Sequence, residues 1–121
     1  MERIQLRTDE VRGVRVARLE GELDKLAVET ARARLDPLVA AGKLIVDLDG
    51  VTFIDSAGLH ALFGLSRMAA PQGGGIALVV SDSSPTARVI GLVHLGDVVP
   101  VCASVDEAVA VLQVSRSEDE G

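Results

Sequence analysis

The sequence is poor in aromatic residues and carries an excess of acidic ones. It has no Trp or Tyr, and Phe53 and Phe63 are its only aromatic residues. It therefore lacks the stacking side chains on which single-stranded nucleic-acid binding usually depends. The formal net charge is −6, with 18 acidic against 12 basic side chains, which disfavours a phosphate backbone as a ligand. We expect no nucleic-acid partner.

Cysteine and long apolar runs are also scarce. The single Cys102 cannot form an internal disulfide, and the chain does not open with the pattern of a signal peptide. Both features predict a reducing, cytoplasmic location. No apolar run approaches the roughly 20 residues of a membrane-spanning helix. The sequence therefore predicts no direct membrane insertion.

The length and the hydrophobic content of the chain are those of one folded domain. The 121 residues are 48% hydrophobic, enough for a single core without metal ions or disulfides. We expect residues 1–114 to form one domain and residues 115–121 to form a flexible acidic tail. There is no internal repeat or linker.

The first third of the chain changes from strand to helix periodicity. Residues 4–22 contain two alternating stretches, separated by the polar residues 8–10 and broken by Gly13, which predict two antiparallel strands at a sheet edge. From Leu26 to Leu38 the apolar residues recur three and four apart, as on one helix face, with Asp24 placed to cap the helix. Pro37 predicts its end or a kink.

A second strand and helix follow. Residues 44–48 form a nearly continuous apolar run, typical of a strand that is covered on both faces. Asp49 and Gly50 predict a turn, and residues 51–54 an extended segment. The helical spacing that follows begins at a junction where Asp55 or Ser56 supplies the cap.

The rest of the pattern predicts a strand, a helix, a short strand and a final helix, at residues 76–80, 83–94, 98–101 and from 104 onwards. Glu107 completes a capping box with Ser104. The order ββαβαβαβα predicts an α/β fold. Its sheet is mainly parallel, with four or five strands and an antiparallel edge strand, and about four helices pack against it.

Metal ligands are few. His94 and Cys102 are too scattered for a zinc site, which requires three or four ligands. Three carboxylates could in principle gather a divalent cation, but solvated acids at strand ends explain them better: Asp47, Asp49 and Asp55. We expect no metal site.

Catalytic motifs are similarly weak. Residues 73–75 are three glycines, but they precede a strand, whereas a phosphate-binding loop follows a strand and opens a helix. His60 lies four residues after Ser56, yet there is no G-x-S-x-G motif and no third group for a hydrolase triad. We expect no catalytic residue and no cofactor, and predict that the protein is not an enzyme.

Ser56 lies at the junction between an extended segment and a helix. A serine there is usually a helix cap. The free N–H groups and the positive end of the helix dipole would also accommodate an anion, so the position could tolerate a phosphate. Gly58, in the first turn, would let the backbone of another protein approach closely.

Three blocks of the sequence resemble the anti-sigma factor antagonists, which have the STAS fold: residues 21–24 (GELD), 44–59 (LIVDLDGVTFIDSAGL) and 84–92 (SPTARVIGL). The resemblance extends over nearly the whole chain, and the second block is the most specific. It implies a bacterial regulator that binds an anti-sigma factor and thereby frees a sigma factor for transcription. The resemblance also implies the STAS-type sheet and helices described above.

The resemblance further implies a switch at Ser56. The anti-sigma factor is often an ATP-dependent serine kinase that phosphorylates this residue, and a metal-dependent serine phosphatase reverses the modification. The implied partner-binding residues are Asp24, Asp55, Ser56, Ala57, Gly58, Leu59 and His60. Two positions depart from the family pattern: Ala57 replaces a second hydroxyl residue, and His60 replaces a small residue. His60 could adjust partner choice or could be an ordinary exposed residue.

Two further expectations remain open. The same fold serves as a non-phosphorylated scaffold subunit in membrane lipid-transport and stress-sensing complexes, which is the main alternative function. A homodimer through the exposed edge strand is also compatible with the sequence.

Overall fold

A computed structural model describes residues 3–69 and 75–120, with residues 114–120 described by their backbone alone. Its elements in chain order are β1 (Ile4–Val11), β2 (Val14–Leu23), α1 (Val28–Ala40), β3 (Leu44–Ile54), α2 (Ser56–Ala69), β4 (Ile76–Val79), α3 (Ala87–Leu92), β5 (Val101–Cys102) and α4 (Val105–Glu120). A short 3-10 helix, Leu95–Asp97, connects α3 to β5.

The strands form one sheet in the order β1-β2-β3-β4-β5. Strands β1 and β2 are antiparallel, and the other neighbours are parallel. The predicted α/β fold with an antiparallel edge strand is confirmed. Each parallel connection passes through a helix, which explains why strand and helix periodicities alternate along the sequence.

Two apolar clusters cover the two faces of the sheet. The larger contains the buried residues of α1 and most of the buried apolar residues of α2, together with Leu44 and Val46 of β3. The smaller contains Ile45 and the buried residues of α4. Because successive residues of β3 enter opposite clusters, the start of this strand is apolar without interruption.

Strands β1 and β3 extend further than the sequence predicts. Residues 8–10 continue β1, and the chain reverses at Arg12 and Gly13, which both have positive φ (51° and 80°). Positive φ at both central residues is the geometry that suits a tight hairpin. The predicted turn at Asp49 and Gly50 is wrong: β3 runs through it, and a register shift against β2 absorbs the irregularity as a bulge.

The helix boundaries also differ. Helix α1 begins at Val28 and continues through Pro37 to Ala40. Helix α3 is shorter than predicted, and β5 starts three residues later than expected. Helix α4 begins at Val105 and runs to Glu120.

The predicted capping box of α4 is present in part: Ser104 caps the helix, but Glu107 binds the N–H of Ala103 and not that of Ser104. The Ser104 hydroxyl accepts a hydrogen bond from the N–H of Glu107 at 3.2 Å, and the Glu107 carboxylate accepts one from the N–H of Ala103 at 2.9 Å. Within residues 3–69 and 75–120 no helix combines the length and apolar character needed to cross a membrane.

Candidate functional site

Strands β2 and β3 end side by side. They are parallel, and their last residues, Leu23 and Ile54, are paired in the register. Asp24 follows the first strand and Asp55 follows the second. The carboxyl ends of parallel strands lie at one edge of a sheet, so both acidic residues lie at the same edge, as the family resemblance implies.

Asp55 caps helix α2 and ties it to the neighbouring turn. Its Oδ1 accepts a hydrogen bond from the N–H of Gly58 at 2.9 Å, and its Oδ2 accepts one from the N–H of Lys25 at 2.9 Å. Of the two caps left open by the sequence, the structure selects Asp55. Ser56 is the first helical residue and not the cap.

Asp24 stabilises the turn that leads from β2 to α1. Its Oδ1 accepts hydrogen bonds from the N–H groups of Leu26 at 3.1 Å and Ala27 at 3.0 Å. The prediction that Asp24 caps α1 directly is therefore wrong, because the helix starts only at Val28, after this turn.

A guanidinium group completes the environment of Asp24. Arg3 donates to its Oδ2 from Nε at 2.8 Å and also from Nη2. Asp24 is itself buried. The hydrogen bond from Arg3 lowers the pKa of Asp24 below its usual range, and the bonds from the N–H groups of Ala27 and Leu26 act in the same direction. Asp24 is thus a partnered anion.

Ser56 differs from both acidic residues because it is exposed. Among the residues that the structure describes, its hydroxyl has no hydrogen-bond partner. It occupies the first position of a 14-residue helix whose cap comes from Asp55. A free hydroxyl at a helix N-terminus is accessible to a modifying enzyme, and the helix dipole there favours added negative charge.

The other four predicted contact residues differ in exposure. His60 is exposed, and Ala57 and Leu59 are half-buried. Gly58 is buried, and a Cβ added there would lie 2.2 Å from the carbonyl oxygen of Leu23. Gly58 is thus required for contact within this chain, which corrects the expectation that it admits the backbone of another protein.

The other residues that the sequence offered as metal or phosphate ligands do not form a common site among the described residues. Asp47 pairs with Arg18 at 2.8 Å, and Asp49 accepts a hydrogen bond from the N–H of Ser81 at 2.8 Å. Over residues 3–69 and 75–120 no group of three His, Cys, Asp or Glu side chains could hold a metal ion. Gly73 and Gly74 lie outside the described residues.

Sequence reasoning missed two residues at this edge. Leu26, whose spacing places it on the apolar face of the predicted helix, is 74% exposed because the helix begins two residues later. Arg3 gave no signal at all, since its contact with Asp24 spans 21 positions. A predicted helix that began after Leu26 would have indicated that Leu26 is exposed. No feature of the sequence near Arg3 indicates its contact with Asp24.

Known proteins that are similar in sequence and in structure include anti-sigma factor antagonists. An anti-sigma F factor antagonist from Paenibacillus polymyxa is 26% identical over 114 residues, which are 92% of this chain and 97% of the relative. An anti-sigma factor antagonist from Mycobacterium paratuberculosis superimposes with a TM-score of 0.81 at 25% identity, covering 91% of this chain and 94% of that one.

A third similar structure is that of the Bacillus cell fate determinant SpoIIAA in its phosphorylated form. It is 27% identical, with a TM-score of 0.61, and the match covers 89% of this chain and 99% of that one. The family model described as STAS domain matches residues 5–108. The chain therefore belongs to the STAS domain family.

Proposed function

We propose that this protein is an anti-sigma factor antagonist that binds its anti-sigma factor at the sheet edge around Ser56. Phosphorylation of Ser56 ends that binding. The observation that carries the proposal is the exposed Ser56 hydroxyl at the first position of α2, which has no hydrogen-bond partner among the described residues, whereas Asp24 and Asp55 already have theirs. The names of the relatives, one of them a phosphorylated form, support the same role.

The proposed switch is electrostatic. A phosphate on Ser56 adds about 1.5 to 2 negative charges and three acceptor oxygens. The helix N-terminus offers N–H groups and a dipole interaction of about 0.3 to 1 kcal/mol, so the fold should tolerate the modification. A partner surface shaped for a hydroxyl would have to desolvate the phosphate without compensation. A penalty of about 3 kcal/mol weakens binding roughly a hundredfold.

The acidic residues contribute less repulsion than their number suggests. Asp24 is paired with Arg3, and both carboxylate oxygens of Asp55 accept backbone hydrogen bonds. The loss of affinity should therefore come mainly from desolvation of the phosphate at the partner surface. The proposed partner-binding residues remain Asp55, Ser56, Ala57, Leu59 and His60 at this edge. Asp24 and Gly58 support them from below the surface.

The chemistry of the switch would come from partners. In this proposal the anti-sigma factor is an ATP-dependent serine kinase and a serine phosphatase removes the phosphate, both in the cytoplasm. The protein itself acts by binding and release, without a cofactor. Ala57 leaves Ser56 as the sole hydroxyl acceptor in the first turn of α2.

The test combines three substitutions. Ser56→Ala should keep binding and remove the phosphate acceptor, whereas Ser56→Asp should weaken binding with a native circular dichroism spectrum. Ala41→Asp adds the same charge at an exposed position before β3, at the opposite edge of the sheet, and should bind like the wild type. Binding to the purified anti-sigma factors of the source organism is measured by calorimetry, and the phosphate is located by mass spectrometry of protein from native cells.

The alternative function predicts a different pattern. A scaffold subunit would co-purify with an ATPase and a permease and would carry no phosphate on Ser56 in any growth condition. Equal binding of Ser56→Asp and wild type would also contradict the switch, since the added charge would then have no effect on the interface.

A further inference from the structure

Leu26 is an unusual surface residue. Five large apolar side chains are exposed in the part of the chain that the structure describes, and Leu26 is the most exposed of them, at 74%. It lies in the turn between β2 and α1 and therefore contributes little to the core. Single exposed leucines are common on protein surfaces, so exposure alone assigns no role.

The backbone around Leu26 is held firmly. Three consecutive N–H groups in this turn donate to carboxylates: that of Lys25 to Asp55, and those of Leu26 and Ala27 to Asp24. The side chain of Ala27 is buried. The exposed leucine thus projects from a turn that is fixed on both sides. Binding through it requires little ordering of the backbone, which lowers the entropic cost of association.

Leu26 is also close to Ser56 through this network. Asp55 directly precedes Ser56, and its Oδ2 binds the N–H of Lys25, the residue directly before Leu26. The first turn of α2 packs so closely on the end of β2 that Gly58 has no room for a Cβ next to Leu23. The turn that carries Leu26 and the first turn of the helix that carries Ser56 therefore contact each other.

We infer that Leu26 is the apolar anchor with which the protein docks into an apolar recess of the anti-sigma factor. This inference rests on the proposed function and adds a residue that carries affinity. Interface affinity is usually concentrated in a few desolvated side chains near the centre of the contact. The two residues then have different roles: Leu26 supplies affinity, and phosphorylation of Ser56 ends the binding.

The inference predicts a specific kinetic effect on the kinase reaction. A docking residue that is not at the reacting atoms contributes equally to the ground state and the transition state. Its loss should raise KM and leave kcat unchanged. Replacing the leucine should therefore slow phosphorylation of Ser56 only at low protein concentration.

The experiment compares Leu26→Ser with Leu92→Ser. Leu92 is 67% exposed and lies at the end of α3, so it is a matched control for loss of an exposed leucine. Leu26→Ser should bind the purified anti-sigma factor at least tenfold more weakly, about 1.4 kcal/mol, and Leu92→Ser should bind within about twofold of the wild type. Leu26→Met, which stays apolar, should restore most of the affinity.

The outcomes distinguish this inference from the proposed function. Wild-type protein that binds no anti-sigma factor of its organism would overturn both. Tight wild-type binding combined with an unchanged affinity of Leu26→Ser would overturn the anchor alone. The same holds if Leu92→Ser weakens binding as much as Leu26→Ser, or if the leucine variant lowers kcat and not KM. Equal unfolding midpoints of all variants confirm that folding is not the cause.

Discussion

The carboxylate of Asp55 accepts a hydrogen bond from the backbone N–H of Lys25, 30 positions earlier in the chain, at 2.9 Å. Its second oxygen accepts the N–H of Gly58 in the first turn of α2. One side chain thus joins the end of β2 to the start of α2. The position of Ser56 relative to the neighbouring turn depends on this residue.

Asp55→Ala should therefore destabilise the protein by about 1 to 2 kcal/mol, the upper part of the range for loss of a helix cap, because a tertiary hydrogen bond is lost as well. Urea unfolding followed by circular dichroism measures the change. Asp55→Asn is the matched control: it keeps a capping oxygen for Gly58 but replaces the acceptor of the Lys25 N–H. It should lose less stability than Asp55→Ala, and equal losses would show that the cap contributes nothing.

At this edge of the sheet the sequence predicts the local elements but not the contacts between residues that are far apart along the chain. The strand before Asp55 and the helix after Ser56 were predicted, because apolar periodicity and a capping residue are local signals. The bond from Lys25 to Asp55 was not predicted. It joins residues that become neighbours only when β2 and β3 pair.

The errors at helix α1 have a related cause. Leu26 fits the apolar spacing of a helix, and the sequence therefore predicts a helix that already includes it. The carboxylate of Asp24 binds the N–H groups of a separate turn and delays the helix until Val28. A side chain that competes for backbone N–H groups can move a helix boundary without changing the apolar pattern. The exposure of Leu26 is the result.

Gly58→Ala should be strongly unfavourable, because the new Cβ would lie 2.2 Å from the carbonyl oxygen of Leu23, a backbone atom that cannot move freely. We expect a loss of about 1 to 3 kcal/mol, as for other overpacked sites. Gly91→Ala is the control within a helix, since a Cβ there meets nothing within 4 Å. It should stabilise by up to about 1 kcal/mol through helix propensity. Similar unfolding midpoints for the two variants would contradict the contact at Gly58.

The pair formed by Arg3 and Asp24 should make stability depend on pH. Because Arg3 lowers the pKa of Asp24 in the folded state, the pair stabilises the protein fully above the unfolded pKa of about 3.9. This contribution is lost as the pH falls through the lower folded value. The stability difference between wild type and Arg3→Gln should therefore be similar at pH 7 and pH 5 and should shrink below about pH 4.

Urea unfolding at these pH values measures that difference. Arg7→Gln is the control, because Arg7 pairs with Glu20 between two largely exposed side chains and should have a smaller effect at every pH. A difference for Arg3→Gln that stays constant far below pH 4 would mean that its effect does not arise from the charge of Asp24.

The last prediction concerns the reactivity of Cys102. Its thiol is buried, and burial raises its pKa, with the negative charge of Glu107 as a second and smaller cause. The thiolate is the reactive form, so native protein should react slowly with Ellman's reagent at pH 8, and unfolded protein should react rapidly. Glu107→Gln, which keeps an acceptor oxygen for the N–H of Ala103, should raise the native rate by less than about threefold, because burial is the larger cause of the raised pKa. A tenfold increase would show that the carboxylate, and not burial, controls the thiol.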